Sequence, residues 1–128
     1  MTEVSMEKKE RIINTPQITP WGSWEVLDDN DNYKVKKIII KPGQRLSYQK
    51  HFKREEFWIM VQGQAEVVLD GVIHHLSPGQ TISIAQESLH RIGNPANNSE
   101  DLIFIEIQRG TYFGEDDIVR LEDDYGRK

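Results

Sequence analysis

Short apolar segments separated by turn-forming residues run through most of this 128-residue chain. The turn signals recur at short intervals, among them Pro42-Gly43, Asp70-Gly71 and Asn94-Pro95. The segments between them are rich in β-branched and aromatic residues, which predicts strands at Tyr33–Lys41, Phe57–Val61, Ala65–Leu69, Val72–Leu76, Gln80–Ala85 and Leu102–Gln108. Asp70-Gly71 is typical of a tight hairpin. No segment of comparable length shows a helical repeat, so we expect an all-β sandwich or barrel.

One domain is predicted, preceded by a short polar tail. A chain of this length is the usual size for a single domain with its own core. We assign residues 1–19 to a polar N-terminal tail, because Pro16 and Pro20 prevent a long helix there. Residues 20–128 then form the folded domain.

The acidic C-terminal segment, Glu115–Lys128, allows two interpretations. Six acidic residues lie between its start and Asp124, and this charge alone favours a solvated tail. Apolar residues interrupt the acids at Ile118, Val119 and Leu121. Because apolar side chains gain free energy by leaving water, we expect the segment to pack on the barrel.

Composition excludes several classes of partner and site. The net charge of −5 argues against binding to nucleic acid or to anionic membranes. The chain has no cysteine, so any metal must be bound by histidine, carboxylate, amide or water. Met1–Arg11 contains no apolar run long enough for a signal peptide or a membrane span, so a cytoplasmic protein is expected.

Four polar side chains form a candidate metal site. Residues two positions apart in a strand point to the same face, so Gln49 and His51 project together. Glu56 follows after a short bend, and a barrel can bring His90 back beside it from a distant strand. One amide oxygen, two imidazoles and one carboxylate would then meet at one point.

This donor set suits zinc or another first-row divalent ion and does not discriminate strongly among them. Acting as a Lewis acid that polarises a sugar oxygen is a more natural role for such an ion than redox chemistry. By spacing alone, however, exposed or core polar side chains explain the four residues better than a metal does.

Two motifs resemble those of the cupin superfamily. Gly43-x5-Gln49-x-His51-x4-Glu56-x6-Gly63 resembles the first cupin motif, with glutamine in place of its first histidine. Gly79-x5-Ala85-x-Glu87-x2-His90-x3-Asn94 resembles the second, with Ala85 and Glu87 in place of the usual proline and glycine. The resemblance implies a double-stranded β-helix, or jelly-roll barrel, in which Gln49, His51, Glu56 and His90 bind one divalent ion. Zinc is favoured, with manganese, cobalt, nickel or iron as alternatives.

Further segments resemble the C-terminal domain of type II mannose-6-phosphate isomerases and extend the resemblance over about residues 20–127. They are Pro20–Leu27, Lys41–Ser47, Ile105–Gln108, Gly114–Arg120 and Asp124–Arg127. In that family the domain commonly follows a mannose-1-phosphate guanylyltransferase domain. The resemblance implies a sugar phosphate as ligand and metal-dependent interconversion of mannose 6-phosphate and fructose 6-phosphate.

The implied reaction assigns roles to residues around the metal. Arg54 matches an arginine associated with the family's isomerase activity, and would stabilise a developing oxyanion or hold the phosphate. Glu106 and Gln108 share one face of a strand, with Glu106 a candidate general base and Gln108 a candidate substrate ligand. An arginine in a solvated loop and an outward polar strand face are the alternatives.

Other charged and aromatic residues complete the prediction. Lys36, Arg45 and Arg109 are candidate phosphate ligands, although solvated surface charge is the favoured interpretation for each. Trp58 and Met60 share the parity of Glu56 and are expected to line the interior. His74 and His75 are expected at the surface. An exposed sheet edge in a barrel of this size favours a homodimer.

Three functions compete. A sugar-phosphate isomerase is favoured by the retained ligands and Arg54. A non-catalytic module that binds a sugar phosphate or sugar nucleotide is favoured by Phe52, Lys53 and Phe57, which replace histidines of the family. A cupin oxygenase is disfavoured, because a redox iron site more naturally uses three imidazoles and a carboxylate.

Overall fold

The computed structural model describes residues 12–127, and they contain eleven strands and no helix. The strands are β1 Gln17–Thr19, β2 Gly22–Asp29, β3 Tyr33–Ile40, β4 Tyr48–Lys50, β5 Arg54–Gln62, β6 Ala65–Leu69, β7 Val72–Leu76, β8 Thr81–Ile84, β9 His90–Gly93, β10 Leu102–Gly110 and β11 Val119–Glu122. The predicted all-β class is therefore confirmed.

The strands form two antiparallel sheets. The six-stranded sheet has the order β1-β2-β3-β10-β5-β8, and the five-stranded sheet has the order β11-β4-β9-β6-β7. Strands adjacent in space are mostly distant along the chain, so the chain crosses repeatedly from one sheet to the other. This topology brings β4, β5, β9 and β10, which carry most of the candidate site, around one interior.

The six predicted strands are all present. Five further strands lie outside the predicted ranges, among them β4, where strand geometry was assumed in order to place Gln49 and His51 on one face. Four of these five contain only three or four residues, too few for an alternation of apolar and polar residues to be recognised in the sequence. The fifth, β2, mixes acidic and apolar residues. β1 lies within the segment assigned to the tail, where Gln17–Thr19 pairs with Gly22–Trp24 of β2.

Alternation along β5 and β10 builds the core. Trp58 and Met60 point inward and are almost fully buried, which confirms the expectation from parity. Phe104 of β10 lies opposite Met60 and packs against the Trp58 ring, with centroids 5.2 Å apart. The apolar core thus occupies one end of the inner face, and leaves the other end for polar residues.

The predicted hairpin joins β6 to β7. Leu69 pairs with Val72, and the two residues between them have φ of 48° at Asp70 and 83° at Gly71. Positive φ at both central positions is the signature of a type I′ turn, which aspartate and glycine adopt at low cost.

The C-terminal segment contributes β11 to the five-stranded sheet, although two of its apolar residues, Val119 and Leu121, are exposed. β11 pairs with β4 at the edge of the five-stranded sheet. Buried Arg91 of β9 donates hydrogen bonds to the backbone carbonyls of Leu46 and Glu122, at 2.8 and 3.1 Å. This arginine therefore ties the acidic segment to the centre of the sheet.

The outer face of the six-stranded sheet carries several exposed apolar side chains. Phe57, Val61 and Ile107 are among the exposed large hydrophobic residues there. Such a face provides contact area for self-association, and the homodimer stays a prediction. Within residues 12–127, no helix is long and apolar enough to cross a membrane.

We predict that the same substitution has very different effects at two phenylalanines. Phe104 is 0% exposed and Phe57 is 40% exposed. Phe104→Ala opens a cavity in the core and should lower the free energy of unfolding by about 3–5 kcal/mol. Phe57→Ala should lower it by about 1 kcal/mol or less. Urea denaturation of the two variants measures the difference, and equal losses would contradict the described core.

Candidate metal centre

Three side chains from separate elements converge inside the barrel. His51 follows β4, Glu56 points inward from β5, and His90 begins β9. Each of them offers one ligand atom, and these atoms all lie within 4.8 Å of one another. The distances are 3.5 Å from His51 Nε2 to Glu56 Oε2 and 3.9 Å from His90 Nε2 to Glu56 Oε1.

Backbone carbonyls fix the tautomer of both imidazoles. His51 Nδ1 lies 2.6 Å from the carbonyl of Asp117, and His90 Nδ1 lies 2.9 Å from that of Ser88. A carbonyl only accepts, so Nδ1–H donates in both rings and each Nε2 carries a lone pair that faces Glu56. Orientation of this kind is typical of metal-binding histidines.

Both histidines are neutral near pH 7. Burial, together with the positive charge of Arg54, lowers the pKa of His51 to about 4. Burial also lowers the pKa of His90. A neutral imidazole is the form that binds a metal ion, so the pocket keeps both rings in the competent state.

Gln49 lies beside the triad. Its Cα is the register partner of His90 across β4 and β9, and its side chain lines the same cavity as that of His51. Its Oε1 accepts a hydrogen bond of 2.9 Å from Ser47 Oγ and keeps a second lone pair. Three residues of the predicted ligand set therefore converge, and Gln49 as a fourth ligand stays a prediction.

Arg54 is buried against the same atoms, so the solvated-loop interpretation does not hold. Its Nε donates to Glu56 Oε2 at 2.9 Å, and its Nη2 donates to the His51 Nε2 lone pair at 3.0 Å. The guanidinium thus supplies positive charge to two of the metal-ligand atoms.

The triad fits a divalent ion on its own chemistry. His90 Nε2 is buried and has no hydrogen-bond partner among residues 12–127. A buried acceptor without a partner is costly, and a metal ion would satisfy it. Two imidazole nitrogens and a carboxylate are donors that zinc and other first-row divalent ions accept, so His51, Glu56 and His90 could hold such an ion.

Glu106 is a second buried carboxyl group, adjacent to Glu56. Trp58 Nε1 donates to Glu56 Oε1 at 3.0 Å and to Glu106 Oε2 at 3.1 Å. Gln108 Nε2 donates to Glu106 Oε1 at 2.9 Å. Burial and the negative charge of Glu56 raise the pKa of Glu106 to about 8, so it holds a proton at neutral pH. Glu106 and Gln108 therefore face inward.

Lys36 is buried at the mouth of this cavity, which differs from the solvated interpretation favoured by its sequence. Its Nζ lies 2.7 Å from Glu115 Oε2 and 4.2 Å from the centre of the Trp24 ring. Glu115 and Trp24 were not singled out in the sequence. The signal for Glu115 was its place among the acids of the C-terminal segment, which does not distinguish a cavity residue from a solvated one.

Two predicted phosphate ligands lie elsewhere. Arg45 forms an ion pair of 2.7 Å with Asp124 on the other side of the five-stranded sheet. Arg109 points outward, is 75% exposed, and pairs with Glu55 at 2.7 Å. The residues lining the cavity include Gln49, His51, Arg54, Lys36 and Glu106, and not these two arginines.

The sequence is similar to a known protein family and to several curated proteins. Residues 6–123 match the family described as "Mannose-6-phosphate isomerase C-terminal". The alginate biosynthesis protein AlgA of Pseudomonas aeruginosa is 46% identical over 108 residues, or 84% of this chain. A mannose-1-phosphate guanylyltransferase of Escherichia coli is 40% identical over 120 residues, or 94% of this chain. The chain spans only 22% and 25% of those two relatives.

Solved structures confirm the cupin fold. KdgF from a Halomonas species superimposes with a TM-score of 0.70 at 18% identity, covering 77% of this chain and 90% of that one. Oxalate decarboxylase from Bacillus subtilis superimposes with a TM-score of 0.73 at 19% identity, covering 84% of this chain and 30% of that one. At these identities the likeness concerns the fold alone.

We predict that the full chain binds about one equivalent of zinc. His90→Ala should weaken zinc binding at least about 100-fold, because loss of residues that only hydrogen-bond to a ligand already lowers metal affinity about 10–100-fold. The matched control is His75→Ala, which removes an exposed imidazole from β7. Competition titration with a chromogenic chelator measures both affinities. Equal zinc affinity in the two variants would exclude His90 as a ligand.

The metal-free protein should lose stability as the pH rises from 6.5 to 8. In this range Glu106 is ionised in the unfolded chain. It is mostly protonated in the folded protein, where the pKa of Glu106 is about 8. The unfolded chain then binds fewer protons, so the free energy of unfolding falls with rising pH, by about 1–2 kcal/mol. Between pH 4.5 and 6.5 the Glu106 contribution keeps the same sign, and the lowered pKa of His51 adds a contribution of opposite sign.

Glu106→Gln should abolish this loss, because an amide does not ionise. The exposed Glu66 of β6 provides the matched control, and Glu66→Gln should keep the wild-type slope. Urea denaturation of chelator-treated protein at several pH values measures the slopes. Parallel curves for all three proteins would show that Glu106 is not the titrating group.

Proposed function

The chain belongs to the mannose-6-phosphate isomerase C-terminal family, and we propose that it interconverts mannose 6-phosphate and fructose 6-phosphate in the cavity between its two sheets. The observation that carries the proposal is the grouping of three kinds of side chain around that cavity. A candidate metal-ligand triad, a buried carboxyl group with a raised pKa and two buried cations lie close to one another.

The proposed cofactor is one divalent ion, bound by Gln49, His51, Glu56 and His90. Zinc is favoured, and manganese, cobalt, nickel and iron also accept this donor set. When bound, such an ion stabilises the negative charge that develops on the sugar oxygens during aldose–ketose isomerisation.

Glu106 is the proposed proton carrier. The reaction moves a proton between adjacent carbons of the open-chain sugar, which requires a group that takes up and returns a proton. Hydrogen bonds from Trp58 and Gln108 fix the orientation of the Glu106 carboxyl group. Without a metal ion, burial and the charge of Glu56 raise the pKa of Glu106 to about 8, and the charge of a bound divalent ion would favour the ionised form that accepts a proton.

Arg54 and Lys36 are the proposed partners of the anionic parts of the substrate. Both cations are buried and face the cavity, so an anion placed between them would interact in an environment of low dielectric constant. Arg54 is close enough to the triad to stabilise an oxyanion, whereas Lys36 lies nearer the mouth and suits the phosphate.

A non-catalytic module that binds a sugar phosphate or sugar nucleotide is the second candidate. The replacement of family histidines by Phe52, Lys53 and Phe57 favoured it. In this structure all three residues are exposed, and Phe57 lies on the outer face of its sheet. Their replacement therefore removes no side chain from the cavity, which supports the isomerase over the module.

The proposed domain is residues 20–128, and the proposed location is the cytoplasm. The relatives named mannose-1-phosphate guanylyltransferase are about four times longer than the aligned part of this chain. Only the isomerase function is proposed for this chain, because the region that aligns is the one that matches the isomerase family.

The isomerase predicts chelator-sensitive conversion of mannose 6-phosphate. Purified zinc-loaded protein should form fructose 6-phosphate, and a chelator or His90→Ala should abolish at least about 99% of turnover, because transition-state charge is then unsupported. His75→Ala serves as the control and should retain wild-type turnover. Fructose 6-phosphate is measured by a coupled enzyme assay. Zinc binding with no turnover would favour the non-catalytic module.

A further inference from the structure

A carboxylate of the chain itself lies where an anionic ligand would bind. Glu115 belongs to the connection between β10 and β11, and its Oε2 contacts both buried cations of the cavity. The distances are 2.7 Å to Lys36 Nζ and 3.6 Å to Arg54 Nη1. The side chain of Glu115 is 51% exposed, whereas those of Lys36 and Arg54 are 5% and 4% exposed. The anion is therefore at the entrance, and its two partners are inside.

Both cations depend on an anion at this position. Arg54 Nη1 is buried and has no hydrogen-bond partner among residues 12–127, so one of its donors points at the carboxylate without being satisfied. Lys36 forms its ion pair with Glu115 alone among the described residues. Although burial opposes ionisation, the charges of Lys36 and Arg54 lower the pKa of Glu115 to about 2.

Glu115 supplies the opposite charge to a buried ammonium group. Arg54 has a second carboxylate partner, because its Nε lies 2.9 Å from Glu56 Oε2. Lys36 Nζ lies 2.7 Å from Glu115 Oε2, and the Lys36 side chain is only 5% exposed. Removing Glu115 leaves this buried charge without that partner, which is unfavourable unless another anion replaces it.

The position of Glu115 also limits the space available. The cavity measures about 90 Å³, and Glu115 is among its lining residues. Ligand pockets usually enclose about 300–1,000 Å³. Two residues further along, Asp117 accepts hydrogen bonds from the backbone N–H groups of Phe52 and Lys53, at 3.3 and 2.9 Å. The segment is thus anchored at Asp117, two residues from the half-exposed Glu115 carboxylate.

We propose that Glu115 is a built-in competitor, which occupies an anion subsite formed by Lys36 and Arg54 until a phosphate group displaces it. A phosphate dianion suits the subsite better than the carboxylate does, because it carries more charge and more acceptor oxygens. The identification of the incoming group as the phosphate of a sugar rests on the proposed function. The anion subsite and its occupation by Glu115 are inferred without the proposed function.

The test measures binding of inorganic phosphate to the chelator-treated full chain by calorimetry. Glu115→Gln removes the competing charge and keeps the size of the side chain. This variant should bind phosphate about 5- to 30-fold more tightly than wild type. Glu122→Gln is the matched control. Glu122 lies on the same acidic segment as Glu115, pairs with Arg91 of β9, and is not among the residues lining the cavity. It removes the same charge and should leave the affinity unchanged.

A second variant identifies the subsite. Lys36→Met, added to Glu115→Gln, replaces the buried ammonium by an apolar side chain of similar length and should cancel the gain in affinity. Circular dichroism and thermal melting verify that each variant is folded. Equal phosphate affinity in wild type, Glu115→Gln and Glu122→Gln would overturn the inference, and so would a gain that survives Lys36→Met.

These outcomes separate the inference from the proposed isomerase. Tighter phosphate binding by Glu115→Gln without any turnover of mannose 6-phosphate would support the subsite and refute the isomerase. Turnover by the zinc-loaded protein, with no effect of Glu115→Gln on phosphate binding, would support the isomerase and refute the competitor role of Glu115.

Discussion

The buried carboxylate of Glu56 is the group on which the whole interior depends. Its two oxygens face both imidazoles, accept hydrogen bonds from Arg54 and Trp58, and oppose ionisation of Glu106. A carboxylate removed from water is costly unless it is paired and hydrogen-bonded. Arg54 supplies the opposite charge and Trp58 supplies an N–H donor. Because these partners come from β5 itself, one strand both carries the charge and compensates it.

The inner face of β5 and β10 carries core residues at one end and candidate site residues at the other. At one end Met60 and Phe104 form apolar core, and at the other Glu56 and Gln108 are buried register partners. Trp58 lies at the boundary, with its ring packed on Phe104 and its N–H directed to the two carboxyl groups. The packed apolar end therefore holds rigid the strands that position the polar end, as a preorganised site requires.

The sequence predicted those features that depend on local pattern. Alternation identified the longer strands and the inward direction of Trp58 and Met60, and the paired motifs identified the four candidate ligands. Alternation does not reveal what covers a face from another part of the chain. Lys36 was therefore interpreted as solvated, although Trp24 and Glu115 enclose it, the latter from 79 residues away. Arg109 shows the converse, since its charge made it a candidate but its parity places it outside.

Charge links the two ends of the cavity. The guanidinium of Arg54 donates to His51 Nε2 and to Glu56 Oε2, atoms that also belong to the candidate metal site, and its Nη1 faces Glu115 at the mouth. A divalent ion accepted by the triad would add positive charge beside Arg54, so an anion at the mouth would be attracted more strongly. By linkage, an anion held at the mouth would in turn strengthen binding of the ion by the same factor. Arg54 is the side chain through which this coupling is expected to pass, because it contacts both the triad and the Glu115 carboxylate.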